Sequence, residues 1–355
     1  MPPDEKKSLE QFDAELAKHQ LRGQWKADEL LVQTIGGPKP AGSPYVWKWS
    51  AVHPLLLEAC NVLPESFTAR RHLGFMNPAL ERGGATHTIR MGLQMVRPGE
   101  IAWAHRHTIA ALRFVVAGSK QAYTVVDGEV CPMENYDLIL TPQWSWHDHH
   151  NKSGENIIWL DVLDASLIAA LNATFYEPYG EKRQQAKRSG EGDYVPEQAG
   201  ARQPPLRYPW SETEKLLQKM AHLEGSAYDG LSLEYVNPMT GGPALPTLGC
   251  WVQMLRPGES TQAHRHISSA VYFVVRGEGE TVVGDERLEW NRHDSFAVPN
   301  WSWHRHINRS KTDAAILFSV NDTPVFQALG LYREEPENSL QQAAAPLTPT
   351  PLGRK

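Results

Sequence analysis

Residues 93–118 read LQMVRPGEIAWAHRHTIAALRFVVAG, and residues 252–277 read VQMLRPGESTQAHRHISSAVYFVVRG. The two stretches align without a gap at an offset of 159 (264 − 105). A second block, Trp-Ser-Trp-His, stands at 144–147 and again at 301–304, offset by 157 (301 − 144). Asn77-Pro78 and Asn237-Pro238 precede the two copies at similar distances. After each Trp-Ser-Trp-His comes an apolar run, Asn156 to Asp164 and Ala314 to Asp322. A short helical pattern follows each run, SLIAALNATF and PVFQALGLY. Self-similarity over about a hundred residues implies two similar domains, produced by duplication.

Within each copy the segments are short and rich in Val, Ile, Phe, Tyr and Trp, with Gly, Pro and Asn between them. That pattern predicts an all-β-dominated fold, an antiparallel sandwich or barrel per copy. Helical periodicity appears around Leu9–Leu31, His53–Cys60 and Ser211–Glu224. The expected organisation is an N-terminal helical or extended arm (1–75), a first barrel (76–180), a linker with a helix (181–235), a second barrel (236–335) and a tail (336–355). The linker is polar, charged and rich in Gly and Pro over 180–210. The tail, with AAAPLTPTPLGRK, reads as disordered.

The bulk composition narrows the classes. The chain has 355 residues, 41% of them hydrophobic and 21% charged, with a net charge of -6. Lys and Arg form no long block, which argues against a nucleic-acid partner. Cys60, Cys131 and Cys250 are scattered and make neither a disulfide framework nor a zinc cluster, so a reducing, cytoplasmic setting is expected. No apolar run has the length needed to cross a bilayer, and the N-terminus shows no secretory h-region.

Alternation along a strand places His105 and His107 on one face, together with Ile109, Ala111 and Arg113. His147 and His149 share a face of a later strand, with Trp144 and Trp146 on the opposite one. Two strands of one small barrel therefore aim three imidazoles and a guanidinium at one interior point. Imidazole suits Fe, Cu, Zn and Ni. A single His-x-His is weak evidence of a metal; the added histidine in a β-barrel frame is much stronger. The tryptophans are expected to pack the barrel behind the histidines.

The frame resembles the cupin one. Gly99, His105, His107 and Gly118 match the first cupin motif; Pro142, Trp144, His147 and Asn151 match the second in spacing. Gly258, His264, His266 and Gly277, then Pro299, Trp301, His304 and Asn308, repeat both. The resemblance implies a bicupin: two double-stranded β-helix (jelly-roll) barrels with flanking helices. The glutamate that cupins commonly use as fourth ligand is replaced by Ala111 and Ala270, and two common glycines by Tyr136 and Trp144. The stretches AHRHTIAALRF, AYTVVDGE, TPQWSWHDH and WLDVLD, with RRHLGFMNP and TPVFQALGLYREE, are more specific. They resemble the gentisate 1,2-dioxygenase family, which includes salicylate and 1-hydroxy-2-naphthoate dioxygenases.

That resemblance, which spans nearly the whole chain, implies Fe(II), one per subunit in the first domain, on His105, His107 and His147. It implies an aromatic acid and O2 as reactants, cleavage between the carboxyl-bearing and hydroxyl-bearing carbons, and a homotetramer. Three neutral ligands leave the ion its charge, which the anionic oxygens of a 2-hydroxybenzoate offset. Gentisate or a related salicylate is the expected substrate; 1-hydroxy-2-naphthoate and substituted salicylates are the alternatives. Arg113 is expected to face the carboxylate, since a buried guanidinium needs an anion; the alternative is a surface arginine. His149 reads as a substrate contact or proton carrier, or as a structural histidine. Asp161 reads as a carboxylate orienting a ligand histidine, or as a strand end. Gln94 reads as a substrate contact or as the cap of a barrel edge, a structural role its partner Gln253 would share; one of Arg70 and Arg71 reads as a carboxylate contact, or both as exposed strand arginines. Gly92 stands where the family keeps a small residue near the substrate. Arg90 replaces a family aromatic, as an added cation or a solvent-facing charge.

The second copy keeps His264, His266, His304 and His306, so a second metal is a candidate there. It replaces Arg113 with Tyr272 and Asp161 with Ser319, which assigns ring cleavage to the first copy. Two other classes compete. A metal-bearing cupin isomerase or decarboxylase tends to keep the glutamate that Ala111 removes. A non-enzymatic metal-binding bicupin predicts eroded histidines, whereas both copies keep three.

Overall fold

The computed structural model describes residues 8–63, 71–186, 188–189 and 205–337. It divides into two units, residues 1–40 and 41–355. In the first unit, the helical pattern from Leu9 resolves into two helices, Leu9–Lys18 and Trp25–Gln33. Ser8 starts the first with a reciprocal capping box to Gln11, satisfying otherwise orphaned N–H groups. Gln20, at φ 57, breaks the run between them. The unit closes through Phe12 and Trp25, whose rings stack at 5.9 Å.

The second unit holds two β-barrels. In the first barrel, one sheet orders its strands as Arg207–Tyr208, Leu138–Thr141, Ala111–Ala117, Ile157–Leu163, Arg90–Val96 and Arg71–Gly74. The facing sheet runs Tyr176–Pro178, Ile101–His107, His147–Asn151, Ser119–Val126, Glu129–Met133 and Arg188–Ser189. The second barrel repeats this plan. Its sheets run Tyr45–Trp47, Ser295–Val298, Ala270–Arg276, Ala315–Asn321, Gly249–Leu255 and Leu231–Glu234, and then Glu286–Asn291, Glu278–Val283, His304–Asn308, His264–His266 and Glu334–Pro336. Segments from outside the repeat complete both barrels. Tyr45–Trp47 adds an edge to the second, and Arg207–Tyr208 adds one to the first. Helices Trp49–Val62 and Trp210–Met220 flank them. No helix among the described residues is long and apolar enough to cross a membrane.

The runs ALRFVVA and IIWLDVL are apolar on both faces because both faces are covered. Val115, Ile157 and Trp159 fill the first barrel. Leu112, Phe114, Leu160 and Val162 point the other way, against Val252, Phe273 and Phe318 of the second barrel. Phe114 is fully buried and stacks on Phe318 at 4.0 Å. One apolar layer thus joins the two barrels. Phe114→Ala is expected to cost about 3–5 kcal/mol, because the ring's lost burial is compounded by a cavity. A urea unfolding series checks this through the transition midpoint.

The two positions where cupins commonly carry glycine, Tyr136 and Trp144, keep a glycine-like backbone, the second at φ 63. Tyr136 has φ 66 and its repeat partner His293 has φ 71. Such conformations cost side-chain-bearing residues roughly 1–2 kcal/mol. Contacts between the two turns offset that strain: the Tyr136 hydroxyl lies 3.0 Å from His293 Nε2 and accepts from Arg292 at 2.7 Å.

Candidate metal centre

Strands Ile101–His107 and His147–Asn151 pair antiparallel with His105 opposite His147. The alternation that puts His105 and His107 on one face then gathers three imidazoles. Their ring centroids are 4.2 to 5.4 Å apart. One nitrogen of each lies within 4.8 Å of the others. His105 and His147 are buried and His107 is half-buried. Main-chain carbonyls set the tautomers. His105 Nδ1 lies 2.7 Å from the Trp103 carbonyl oxygen, His107 Nδ1 2.7 Å from that of Ile109, and His147 Nδ1 3.0 Å from that of Ser145. Each Nδ1 therefore carries the proton, and each Nε2 presents a lone pair. His147 Nε2 is buried with no hydrogen-bond partner, which is costly unless an ion occupies the point it faces. Two ligands at about 2.1 Å from one ion lie up to about 4.2 Å apart, so small ring rotations suffice to coordinate it. The donor set fits a first-row divalent metal.

The opposite sheet supplies the rest of the interior. Arg113 faces Asp161 across paired strands, Nε to Oδ1 at 3.6 Å, and its guanidinium donates to the Thr141 hydroxyl. Both Arg113 and Asp161 are buried. The expectation that Asp161 orients a ligand histidine is corrected: the ligand nitrogens are held by carbonyls, and Asp161 steadies Arg113. Gln94 and Trp159 sit opposite each other on the inner face, and Gln94 Nε2 and Trp159 Nε1 are buried donors with no partner. His149 is buried, with Nδ1 2.8 Å from the Thr124 hydroxyl. His306 and Thr281 repeat that pair at 2.9 Å in the second barrel, so the contact belongs to both barrels.

Two further expectations are altered, those for Arg71 and Gly92. Arg71 is paired with Met95 and so faces outward, where its Nη1 bonds Glu100 at 2.6 Å. It is placed as a structural ion pair, not a substrate contact. Arg70 lies outside the described residues. At Gly92 a Cβ would meet the Leu73 carbonyl oxygen at 2.4 Å and Gly74 Cα at 2.9 Å. The close approach of strand Arg71–Gly74 demands the glycine, whatever the substrate. Arg90 is exposed at the start of its strand.

The repeated tryptophans lie behind the ligand strands, on the side away from the triads, where they meet arginines. Trp144 is 39% exposed at φ 63, and its N–H donates to the His107 carbonyl at 2.8 Å. Trp144 and Trp146 sandwich the Arg106 guanidinium, each ring 4.4 Å from it. Trp301 and Trp303 do the same to Arg265, at 4.3 and 4.6 Å. The arginine between the paired histidines is therefore locked to the turn that precedes the third one, a cation–π clamp on the outer side of the ligand strands. Three residues escaped the sequence reading: Thr141, Trp159 and Tyr176, whose ring stacks on His105 at 5.3 Å. The repeated triplets YEP at 176–178 and EEP at 334–336 were the available signal for the last.

A family model described as "Cupin domain" matches residues 92–163 and 251–320. A 1-hydroxy-2-naphthoate 1,2-dioxygenase of Nocardioides sp. (strain KP7) is 47% identical, across 97% of this chain and 92% of its own. The chain belongs to the ring-cleaving 1,2-dioxygenase family of two-cupin proteins. A 5-aminosalicylate 1,2-dioxygenase of Comamonas sp. is 41% identical over 92% of this chain and 90% of its own. Salicylate 1,2-dioxygenase from Pseudoaminobacter salicylatoxidans, solved as an adduct with gentisate, superposes with a TM-score of 0.82 at 29% identity, covering 95% of this chain and 96% of that one.

In this family member the second barrel gathers the same triad. His264, His266 and His304 also offer nitrogens within 4.8 Å of one another. Where the first barrel pairs Arg113 with Asp161, the second pairs Tyr272 with Ser319.

Both triads carry a pH consequence. Burial, and then Arg113 and the neighbouring imidazoles, hold His147 well below the usual imidazole range. Burial likewise lowers His304 and His266, and brings His264 and His306 to about 3. These histidines stay neutral in the fold but protonate in the unfolded chain below about pH 6.5. Stability is thus complete above that pH and is lost as pH falls toward about 3. At pH 5, His264 and His306 each forfeit about 2 kcal/mol. Asp229 and Asp322, raised to about 6 by burial, oppose this, since acidification relieves their penalty. The histidines outnumber them, so metal-free protein is expected to melt at a lower temperature at pH 5 than at pH 7.5, as calorimetry would show.

Proposed function

We propose that this chain is an Fe(II)-dependent dioxygenase that opens the ring of a 2-hydroxy aromatic acid, with the chemistry in the first barrel. The supporting observation is the triad of His105, His107 and His147 sharing one interior with the buried Arg113. The second barrel lacks that cation. Iron held by the triad would supply O2 activation and a Lewis acid for the substrate's carboxylate and ring oxygen. Arg113 binds the carboxylate, oriented by Asp161 and Thr141. Gln94 Nε2 and Trp159 Nε1 are donors for substrate oxygens. His149, its Nδ1 set by Thr124, moves a proton at the substrate hydroxyl. The ring bond between the carboxyl-bearing and hydroxyl-bearing carbons breaks, and both atoms of O2 enter the product.

The relatives named for 1-hydroxy-2-naphthoate and 5-aminosalicylate share an ortho hydroxyl and carboxylate on the ring. That motif defines the substrate class. The identity of 47% favours the bicyclic acid over gentisate or salicylate. The test is to load anaerobic protein with Fe(II), admit air, and follow oxygen uptake and ring-opened absorbance. The panel is 1-hydroxy-2-naphthoate, 5-aminosalicylate, gentisate and salicylate. Oxygen consumption with at least one is expected; none with any of them would sink the reading. The homotetramer implied by the resemblance is tested by light scattering, and a cytoplasmic location by fractionation.

A further inference from the structure

We propose that the second barrel holds its own divalent metal on three histidines and a carboxylate, with Glu334 as the fourth ligand. The centre would thus differ in kind from the one in the first barrel. His304 Nε2 is fully buried and unpartnered, as His147 Nε2 is in the first barrel. Carbonyls of Ser268 and Ser302 hold the Nδ1 atoms of His266 and His304 at 2.8 and 2.9 Å. Their Nε2 atoms are therefore the ligating ones.

The glutamate comes from a different strand than in the common cupin arrangement. Glu334–Pro336 pairs with His264–His266, and Glu334 lies directly opposite His266. Directly opposed residues project from the same face of a sheet. Glu334 Oε1 is 4.0 Å from His264 Nε2, inside the span of about 4.2 Å for two atoms ligating one ion. Oε2 accepts from the Tyr332 hydroxyl at 2.9 Å, which steadies the carboxylate. Its side chain is 41% exposed, so the turn needed to reach the ion meets little packing.

The repeat makes the comparison direct. In the first barrel, Tyr176–Pro178 pairs with the ligand strand in the same way, with Tyr176 opposite His107. The triplets are Tyr-Glu-Pro and Glu-Glu-Pro, offset by 158 (334 − 176). Their middle residues keep one role, since Glu177 binds Arg106 and Glu335 binds Arg265. Only the residue facing the metal differs. A tyrosine there leaves coordination positions to an anionic chelating substrate. A carboxylate fills one position and cancels one charge. Beside the Glu334 carboxylate, the cavity of about 480 Å³ is lined by Asp229, Glu234, Tyr272 and Gln253. It disfavours an aromatic acid and suits water or a small neutral ligand.

The test reads metal directly. Full-length His147→Ala removes the first-barrel ligand set; dialysed free of metal, it is titrated with Mn(II) and followed by electron paramagnetic resonance and elemental analysis. One equivalent per chain is expected to bind. Adding Glu334→Gln should weaken that binding by at least about tenfold, and adding His304→Ala should abolish it. Should His147→Ala not fold, the wild type is compared with Glu334→Gln, two tight equivalents against one. No binding by His147→Ala in a folded state, or unchanged affinity on Glu334→Gln, overturns the proposal. The readout is stoichiometry, so a failure of ring cleavage in the first barrel leaves it intact.

Discussion

Arg113→Ala is expected to lower kcat/KM for the aromatic acid by about 10²–10⁴-fold, the effect of truncating one member of a buried charge pair. The iron content of the first barrel should be unchanged. Arg113 is 3% exposed and lies on the sheet facing the ligand strands. On the proposed reading it binds the substrate's carboxylate and is not a metal ligand. The variant carries a second cost, because Asp161 is then buried without its cation at a penalty of about 3–5 kcal/mol. Arg113→Ala combined with Asp161→Asn separates the two effects. The double variant should regain thermal stability and stay inactive. Loss of iron from a folded Arg113→Ala, or turnover near wild type, would show that Arg113 is structural.

His147→Ala should eliminate turnover and remove the first-barrel metal. His147 is fully buried at the centre of the triad, with His105 opposite it in register and His107 4.8 Å away. Alanine leaves two imidazoles and a cavity in a close-packed interior. The matched change His304→Ala in the second barrel should leave ring cleavage close to wild type. Oxygen uptake on the two variants, with elemental analysis alongside, checks both halves. Equal loss from both would mean that the barrels share the reaction.

Much of this was legible from spacing. His105, His107 and His147 follow from strand alternation plus a repeated frame, and the triad forms because the two ligand strands are neighbours in the barrel. Arg113 was readable for the same reason, since its parity matches the ligands'. Misreadings occurred where a partner strand decides what a residue meets. Asp161 lies beside Arg113 because Ala111–Ala117 and Ile157–Leu163 are adjacent, and no local pattern states that adjacency. Arg71 looked like a substrate contact until its register with Met95 turned it outward. Gly92 is small because strand Arg71–Gly74 crowds it. The paired tryptophans do lie on the face away from the triads, as their parity indicated, but that they clasp the arginine between the paired histidines was not readable locally.

The sequence by itself determined the duplication, the two barrels and the two histidine triads. These depend on short-range periodicity and a fixed offset, which the chain carries wherever it folds. Only the tertiary structure decided which groups face each triad. Tyr176 and Glu334 arrive on strands about 70 residues from the first histidines of their triads, yet in opposite senses of chemistry. A strand's pairing partner is chosen by the whole sheet, and the residues it brings to the triads differ at Arg113 against Tyr272, Asp161 against Ser319 and Tyr176 against Glu334.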